Sequence, residues 1–446
     1  MYHSSIYDHS TNVPSYWEAT ASHLRKVDSP LQSLTSCDVA IIGGGFTGLS
    51  AALTLARDYS LDARVLEAGD IAWGASGRNG GFACLAATKL SIDAMLKKYG
   101  QQATREFYKN QVSGIEFTRD LIKDNGIDAD VCGSGNWDVA HKADRLSDLK
   151  VYAEQLTELT GAKSHLFSKS DLPSYAHQSP EQFGGVFVES GFALHPLKFA
   201  LGLADTARSA GATLYPYSKV TTLEKNNKGQ HALQTNQGTL IAKHVLIAAN
   251  GFMPENLHKD LYGRIVPVIS NIVVTRPLSE QELAAQNWKT DSPLCNSRNL
   301  LFYYRKLPDN RILFGARGDI TGNERGSNKT KAWMEKRFRE VFPKWHSVGT
   351  DYFWRGLVCM TERMTPALGH LKDDPTFWYS YGYHANGVNT APMSGHLIAK
   401  WIAGSNEGER SIPEVMRGDP GKIPFPGLRK AYLQGAYWKY AFDDWR

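Results

Sequence analysis

Three glycines lie between an apolar segment and a segment with helical periodicity, a placement that could hold a phosphate group. They are Gly43, Gly45 and Gly48, and they satisfy the pattern G-x-G-x-x-G. The first permits a tight turn, the second lets the backbone approach a pyrophosphate, and the third lets helix and strand pack closely. The N-terminus of the following helix would direct unpaired N–H groups at the diphosphate.

The elements around these glycines form a predicted βαβ unit with a parallel sheet. A strand over 38–42, a helix over about 47–59 and a strand over 63–66 succeed one another. Glu67 follows the second strand, nineteen residues after Gly48. A carboxylate at this spacing can accept both hydroxyls of an adenosine ribose, and it would repel a 2′-phosphate. The pattern therefore predicts a dinucleotide site, and by itself it fits FAD and NAD equally.

A second glycine-rich stretch follows at 74–81, with the sequence GASGRNGG. It carries almost no side-chain bulk and offers backbone N–H groups, one hydroxyl, one amide and one guanidinium. Such a loop can lie flat against a planar ring and its phosphates. The alternative interpretation is a flexible glycine turn.

The rest of the chain alternates between two kinds of pattern. After His195 a helical segment runs to Arg208, and a buried strand over 244–248 leads to Gly251, so the dinucleotide domain resumes there. The segment 256–353 alternates as antiparallel strands do, with a Pro-Asp-Asn turn inside LLFYYRKLPDNRILFGAR. We expect an α/β chain with a doubly wound, Rossmann-like dinucleotide-binding domain and a second α+β domain built on an antiparallel sheet. The expected division is an arm at 1–36, a discontinuous dinucleotide-binding domain at 37–90, 186–255 and 354–446, and a substrate domain at 91–185 and 256–353.

Composition excludes several classes of protein. A length of 446 residues favours two domains, and 50 Lys and Arg against 45 Asp and Glu, without a basic block, argues against nucleic-acid binding. Five dispersed cysteines without a C-x-x-C pair indicate neither disulfides nor a metal site. The N-terminal residues lack the pattern of a secretion signal, and no stretch reaches the roughly 18 apolar residues of a membrane span. We expect a soluble, cytoplasmic protein.

Residues 38–81, with DVAIIGGGFTGLSAALTLA and LEAGDIAWGASGRNGG, resemble the FAD-dependent D-amino-acid oxidase and glycine or sarcosine oxidase superfamily. The chain is most similar to the γ-glutamylputrescine oxidase-like branch, through GASGRNGG. The likeness continues through SYWEAT, FYYR, RILFGAR, WRG and YGYHANGVNTAPMSGHLIAKWIAG. The resemblance, and not the glycine pattern, selects FAD over NAD.

The resemblance implies two sets of site residues. The expected FAD-binding residues are Gly43, Gly45, Phe46, Thr47, Gly48, Glu67, Ala68, Gly74, Ala75, Ser76, Arg78, Asn79, Gly80, Gly81, Val220, Gly251, Gly387, Val388 and Asn389. The expected catalytic or substrate-binding residues are Tyr304, Arg355, Arg363 and Asn386. Only one of Tyr303 and Tyr304 can face the flavin, because neighbouring side chains of a strand point to opposite faces. A bidentate guanidinium suits the carboxylate of an amino acid.

The chain departs from the family pattern at three places. Asn386 stands where relatives usually have the histidine of G-H-G-V, and Leu313 stands where the sarcosine-oxidase branch has a lysine thought to activate oxygen. Cys359 matches the cysteine that attaches flavin covalently in that branch, but it lies one residue further from Pro366. We therefore expect FAD to be held without a covalent bond.

The resemblance implies oxidation of a C–N bond in a small amine or amino acid, by hydride transfer to flavin N5 and hydrolysis of the resulting imine. Molecular oxygen is the expected acceptor, and an electron carrier is the alternative. A flavin dehydrogenase or hydroxylase acting on another substrate class stays open, as does a non-catalytic subunit that keeps FAD as a structural element.

Overall fold

The computed structural model describes residues 1–85 and 87–445; Ala86 and Arg446, which the expected FAD-binding domain includes, lie outside the described residues. The strands are numbered here in chain order. β1 to β18 are Leu34–Ile42, Ala63–Leu66, Phe82–Ala83, Asn136–Val139, Ser164–Phe167, Gly185–Val188, Phe192–Ala193, Thr213–Tyr215, Thr222–Lys225, His231–Gln234, Thr239–Ile247, Ile265–Thr275, Leu294–Asn296, Tyr303–Lys306, Ile312–Arg317, Thr350–Thr361, Ala367–Leu371 and Asp374–Tyr381.

The helices are numbered in the same way. α1 to α10 are Tyr16–Ala21, Phe46–Tyr59, Ile92–Asp124, Arg145–Thr160, Pro196–Ser209, Glu280–Ala285, Glu324–Val341, Gly387–Ile402, Asn406–Arg410 and Arg429–Trp445. Among residues 1–85 and 87–445, no helix is both long enough and apolar enough to cross a membrane.

The first sheet is the predicted doubly wound sheet. Its strands lie in the order β17-β18-β11-β1-β2-β8, and β18, β11, β1, β2 and β8 run parallel to one another. The inner half of β1 is buried, as expected for a parallel strand covered on both faces. Helices α2 and α8 cross closely beside it, because a Cβ on Gly395 of α8 would lie 2.2 Å from the carbonyl oxygen of Thr47.

The second sheet has the order β16-β12-β15-β14-β13-β4-β6-β5, and all its pairs are antiparallel except β13 with β4. The predicted hairpin is confirmed, because β14 and β15 pair across the Pro-Asp-Asn turn. One face carries an aromatic core that includes Trp137, Tyr304 and Phe314. The opposite face turns towards the first sheet.

Sheet membership differs from the expected division of the chain at two points. β6 and β16 both belong to the second sheet, so boundaries at 186 and 354 cut through these strands. β16 belongs to the second sheet because it pairs along its whole length with β12. The segment 91–185 is helical in α3 and α4, as expected, but it also contributes two strands, β4 and β5, to the second sheet. We propose a division that assigns β6 and β16 to the substrate domain.

Candidate active site

A cavity of about 470 Å³ lies between the two sheets. Its walls come from the turn after β1, the start of α2, the 74–81 loop, the start of α8 and the inner face of the second sheet. One end therefore has the predicted dinucleotide elements, and the other has side chains of the second sheet. The two parts of a cofactor-dependent site meet in one space.

The N-terminus of α2 opens into this cavity. Gly45 precedes the helix and has no side chain to cap it, and the first helical N–H, that of Phe46, donates to Oγ of Ser76 at 2.9 Å. Gly43 has φ +118°, and a Cβ there would lie 2.8 Å from the carbonyl oxygen of Ala248. A Cβ on Gly48 would lie 2.0 Å from the carbonyl oxygen of Gly43. Gly43 and Gly48 thus have the turn and packing geometry that the motif predicts, and Gly45 lines the cavity where the motif places a pyrophosphate.

Glu67 lies at the end of β2 beside this turn. Its carboxylate accepts hydrogen bonds from the N–H groups of Gly44, at 2.7 Å, and Gly69, at 3.2 Å. Burial raises the pKa of the Glu67 carboxyl, and the two backbone donors oppose that shift. The backbone therefore orients the carboxylate at the cavity wall, where a ribose hydroxyl could donate to it.

The 74–81 loop forms one side of the cavity around Arg78. The Nε of Arg78 donates to the carbonyl oxygen of Trp73 at 2.7 Å, and the guanidinium lies 3.9 Å from the centre of the Trp73 ring. Its Nη2 is buried without a hydrogen-bond partner among the described residues. Burial lowers the pKa of Arg78 to about 9. A buried guanidinium with a free donor suits an anionic or carbonyl-bearing ligand.

The N-terminus of α8 is the second helix end that reaches the cavity. Within the described residues it has no side-chain cap. Asn386 instead donates to the carbonyl oxygens of Cys84, at 2.7 Å, and Leu85, at 2.6 Å. The positive end of the helix dipole is therefore available to negative charge on a bound ring.

Comparison with known proteins agrees with this geometry. The model of the family described as FAD dependent oxidoreductase (DAO) matches residues 38–401. The chain belongs to this FAD-dependent oxidoreductase family. It is 31% identical to gamma-glutamylputrescine oxidoreductase of Escherichia coli K12 over 421 residues, covering 94% of each chain. The likeness to that branch confirms the resemblance seen in the sequence.

Solved structures share the fold. Glycine oxidase from Geobacillus kaustophilus superposes with a TM-score of 0.70 at 22% identity, covering 82% of this chain and 94% of that one. L-alpha-glycerophosphate oxidase from Mycoplasma pneumoniae, determined with FAD bound, superposes with a TM-score of 0.67 at 16% identity, covering 83% of this chain and 95% of that one. These structures support the predicted fold class of the oxidoreductase.

Most of the expected FAD-binding residues line the cavity of the oxidoreductase. They are Gly43, Gly45, Phe46, Thr47, Glu67, Ala68, Gly74, Ala75, Ser76, Arg78, Asn79, Gly80, Val220, Gly387 and Val388. Gly48, Gly81, Gly251 and Asn389 lie behind the cavity wall. For example, a Cβ on Gly81 would lie 2.0 Å from the carbonyl oxygen of Leu194, so this glycine permits close backbone packing. Two helix N-termini at the cavity, the buried donor of Arg78 and the glycine walls fit FAD.

The structure places Tyr304 away from the cavity. Its ring is buried in the aromatic core, and its hydroxyl lies 3.0 Å from Nε2 of His177. Tyr303 lines the cavity instead, and its hydroxyl lies 2.9 Å from Oγ of Ser270. The expectation for Tyr304 is therefore corrected to Tyr303, because the register of β14 directs odd-numbered side chains inwards.

The two expected arginines do not reach the cavity either. Arg355 forms an ion pair with Asp319 at 3.0 Å, since it lies on the face of β16 opposite Gly356. Arg363 donates to the carbonyl oxygens of Arg417, at 2.8 Å, and Met416, at 2.7 Å, and so fastens a C-terminal segment. Both guanidiniums already have partners, and neither supports the substrate role expected for it.

Three other charged side chains line the substrate end: Lys89, Asp138 and Arg317. None of them has a salt-bridge partner in the described part of the chain. Lys89 is exposed to the space of the cavity, but desolvation by the surrounding protein, with help from Arg317, lowers its pKa to about 8. Desolvation also raises the pKa of Asp138 to about 6. Sequence reasoning missed all three. Of the three, only Asp138 stands in a recognisable sequence pattern. Asn136 and Asp138 alternate with the apolar residue Trp137, which is the alternation typical of a strand with one polar face.

Proposed function

We propose that the protein oxidises the C–N bond of a small amine or N-substituted amino acid. The observation that carries the proposal is the continuity of the cavity, which joins the FAD cradle to a pocket with Tyr303, Lys89 and Arg317. Support comes from the E. coli relative, which is named for an amine substrate. A glycerophosphate oxidase shares the fold, so the fold alone does not define the substrate class. We infer that class from the E. coli relative and from the residues that line the pocket.

When bound, FAD supplies a hydride acceptor at N5, so that the carbon bearing the nitrogen becomes an imine carbon that water hydrolyses to a carbonyl and an amine. The residues of the chain orient the substrate and select its protonation state. Lys89 and Arg317 place positive charge in the pocket, which favours the neutral amine over the ammonium form. Arg317 donates to Ser270, whose hydroxyl contacts Tyr303, and this chain of side chains borders the pocket.

Arg317 is the proposed anchor for a substrate carboxylate, in place of Arg355 and Arg363. Its guanidinium faces the cavity and has no carboxylate partner among the described residues. Asn386 is a proposed positioning residue, because it ties the 84–85 segment to the start of α8. The proposed FAD contacts are the cavity-lining residues named above.

We propose molecular oxygen as the electron acceptor, which takes up two electrons and two protons to form H2O2. The position of the oxygen-activating lysine of the sarcosine-oxidase branch is here Leu313, a fully buried core residue. That observation favours the second candidate, a dehydrogenase that passes its electrons to a carrier. Small amines added without oxygen should bleach the flavin in either case, and air should restore the colour and yield H2O2 if oxygen is the acceptor. Absence of bleaching by any amine would contradict the proposed function.

FAD is expected to be released when the protein is denatured with acid. Cys359 lines the cavity wall but is only 1% exposed, and burial raises the pKa of its thiol well above the usual range. A thiol that stays protonated is a poor nucleophile. The measurement is the absorbance of the supernatant after precipitation. Flavin that remains on the polypeptide of the natural protein, and is lost from Cys359→Ser, would disprove non-covalent binding.

A further inference from the structure

The carboxylate of Asp138, on β4, lies at the end of the cavity remote from the FAD loop. Asp138 lines the cavity and is not engaged in a salt bridge with any described residue. Cys84, Tyr152 and Cys295 are the titratable groups around it, and burial keeps all three neutral by raising their pKa values. Since an ionised group surrounded by protein is unfavourable without a partner, this carboxylate calls for a positively charged ligand.

Two further oxygen atoms on the same wall of the cavity lack hydrogen-bond partners among the described residues. Asn136 Oδ1 and Ser190 Oγ are buried and form no hydrogen bond within the described residues. Each residue is only 7% exposed. Asn136 and Asp138 point to the same face, because they are two residues apart on β4, and Ser190 follows β6, which pairs with β4. Both residues line the cavity. Val186 pairs with Asp138 and Val188 pairs with Asn136, so Ser190 lies next to Asn136 on the side away from Asp138. The carboxylate of Asp138 and the amide oxygen of Asn136 can accept N–H donors of an ammonium group, and the hydroxyl of Ser190 extends this line of acceptors.

An apolar wall leads to this cluster. Leu149, Tyr152 and Leu156 of α4 line the same cavity, and their spacing places them along one side of the helix. These side chains suit a chain of methylene groups, and the Tyr152 ring can also contact a cation through its face. An alkyl chain that ends in an ammonium group matches both the wall and the oxygen cluster.

The register of the second sheet separates this cluster from the flavin end. Asp138 pairs with Cys295 of β13, and Cys295 pairs with Tyr303 of β14. Two strand spacings place Asp138 about 10 Å from Tyr303. Tyr303 is the residue next to the FAD loop, because a Cβ on Gly80 would lie 3.0 Å from its ring. A ligand held at Asp138 would thus extend towards the flavin end.

We propose that Asp138, Asn136 and Ser190 form a binding subsite for a second ammonium group at the end of the substrate remote from the oxidised C–N bond. The inference rests on the proposed function and names its substrate class: amines whose alkyl chain bears another cationic nitrogen. Diamines and aminoalkyl amino acids belong to this class, and simple alkylamines do not.

Pairs of probes of equal chain length test the subsite on the FAD-loaded protein. α,ω-Diaminoalkanes are compared with n-alkylamines by anaerobic flavin reduction. Binding alone is measured by calorimetry with a diamine and a monoamine that have no hydrogen on the carbons next to nitrogen, so that hydride transfer is impossible. The variants are Asp138→Asn and Ser190→Ala. Glu189→Gln is the matched control, since Glu189 forms an exposed ion pair with His165 and also loses one negative charge.

The natural protein and Glu189→Gln should bind the diamine at least about tenfold more tightly than the monoamine, and Asp138→Asn should lose this preference. Ser190→Ala should reduce it in part. Equal binding of both probes to the natural protein, or an undiminished preference in Asp138→Asn, would overturn the subsite. If the preference depends on Asp138 but no amine reduces the flavin, the subsite stands and the proposed function fails.

Discussion

Gly45→Val is expected to give a folded protein that does not retain FAD. Gly45 has φ −95°, which any residue can adopt, so the backbone is not strained by a side chain. A Cβ there would lie 2.7 Å from Oγ of Ser76, in the space between the start of α2 and the 74–81 loop. A valine would hold the diphosphate away from the helix N–H groups. Loss of two charge-assisted hydrogen bonds, at about 1.5–3 kcal/mol each, would weaken FAD binding by more than about a hundredfold.

The visible absorbance of the purified variant measures bound FAD, and circular dichroism measures its fold. Gly435→Val is the matched control, since no atom of the described residues lies within 4 Å of a Cβ at this exposed glycine of α10. The control should be as yellow as the natural protein. A folded Gly45→Val variant with a full complement of FAD would contradict the assignment of the diphosphate site.

Arg317→Met is expected to weaken the binding of carboxylate-bearing substrates by over tenfold while FAD stays bound. Arg317 contacts Ser270 and faces the cavity, and no described residue neutralises it. Removing one partner of a buried charged pair costs about 2–5 kcal/mol, in part because the other charge is left unpaired. Stopped-flow flavin reduction with an amino acid and its decarboxylated analogue measures the effect. The analogue should be little affected.

Arg355→Met and Arg363→Met are the controls for this prediction. Both arginines bind other parts of the chain, Arg355 through Asp319 and Arg363 through backbone carbonyls near the C-terminus. We expect them to lower thermal stability without selective loss of carboxylate substrates. A carboxylate preference that survives Arg317→Met and is lost in Arg363→Met would return the anchor to the position that the sequence resemblance implied.

The FAD side of the site could be predicted from sequence because its residues are contiguous and constrained by backbone geometry. Gly43, Gly45 and Gly48 each have a neighbour that a Cβ would strike or crowd. Such a turn can be recognised in the sequence by its glycines, because few other residues tolerate the close contact or the positive φ. Glu67 followed from a spacing rule within the same βαβ unit.

The substrate side could not be predicted because its residues come from strands far apart in sequence. Asp138, Tyr303 and Arg317 meet through strand pairing, and pairing register is not visible in one sequence. A shift of one residue exchanges the two faces of a strand, so the sequence alone does not distinguish Tyr303 from Tyr304 as the residue that faces the cavity. Lys89 lies in an irregular segment between β3 and α3, where no periodic pattern indicates a direction.

The most direct test of C–N oxidation is anaerobic flavin reduction by an amine and by the same amine with deuterium on the carbon bearing nitrogen. We expect bleaching in one exponential phase, a slower rate with deuterium, and a rate that rises with pH as the bound amine loses its proton. The rise reflects a substrate amine whose pKa is lowered by desolvation and by the positive charges of Lys89 and Arg317. Flavin that dithionite reduces but no amine reduces, across the diamine and amino-acid series, would contradict the account.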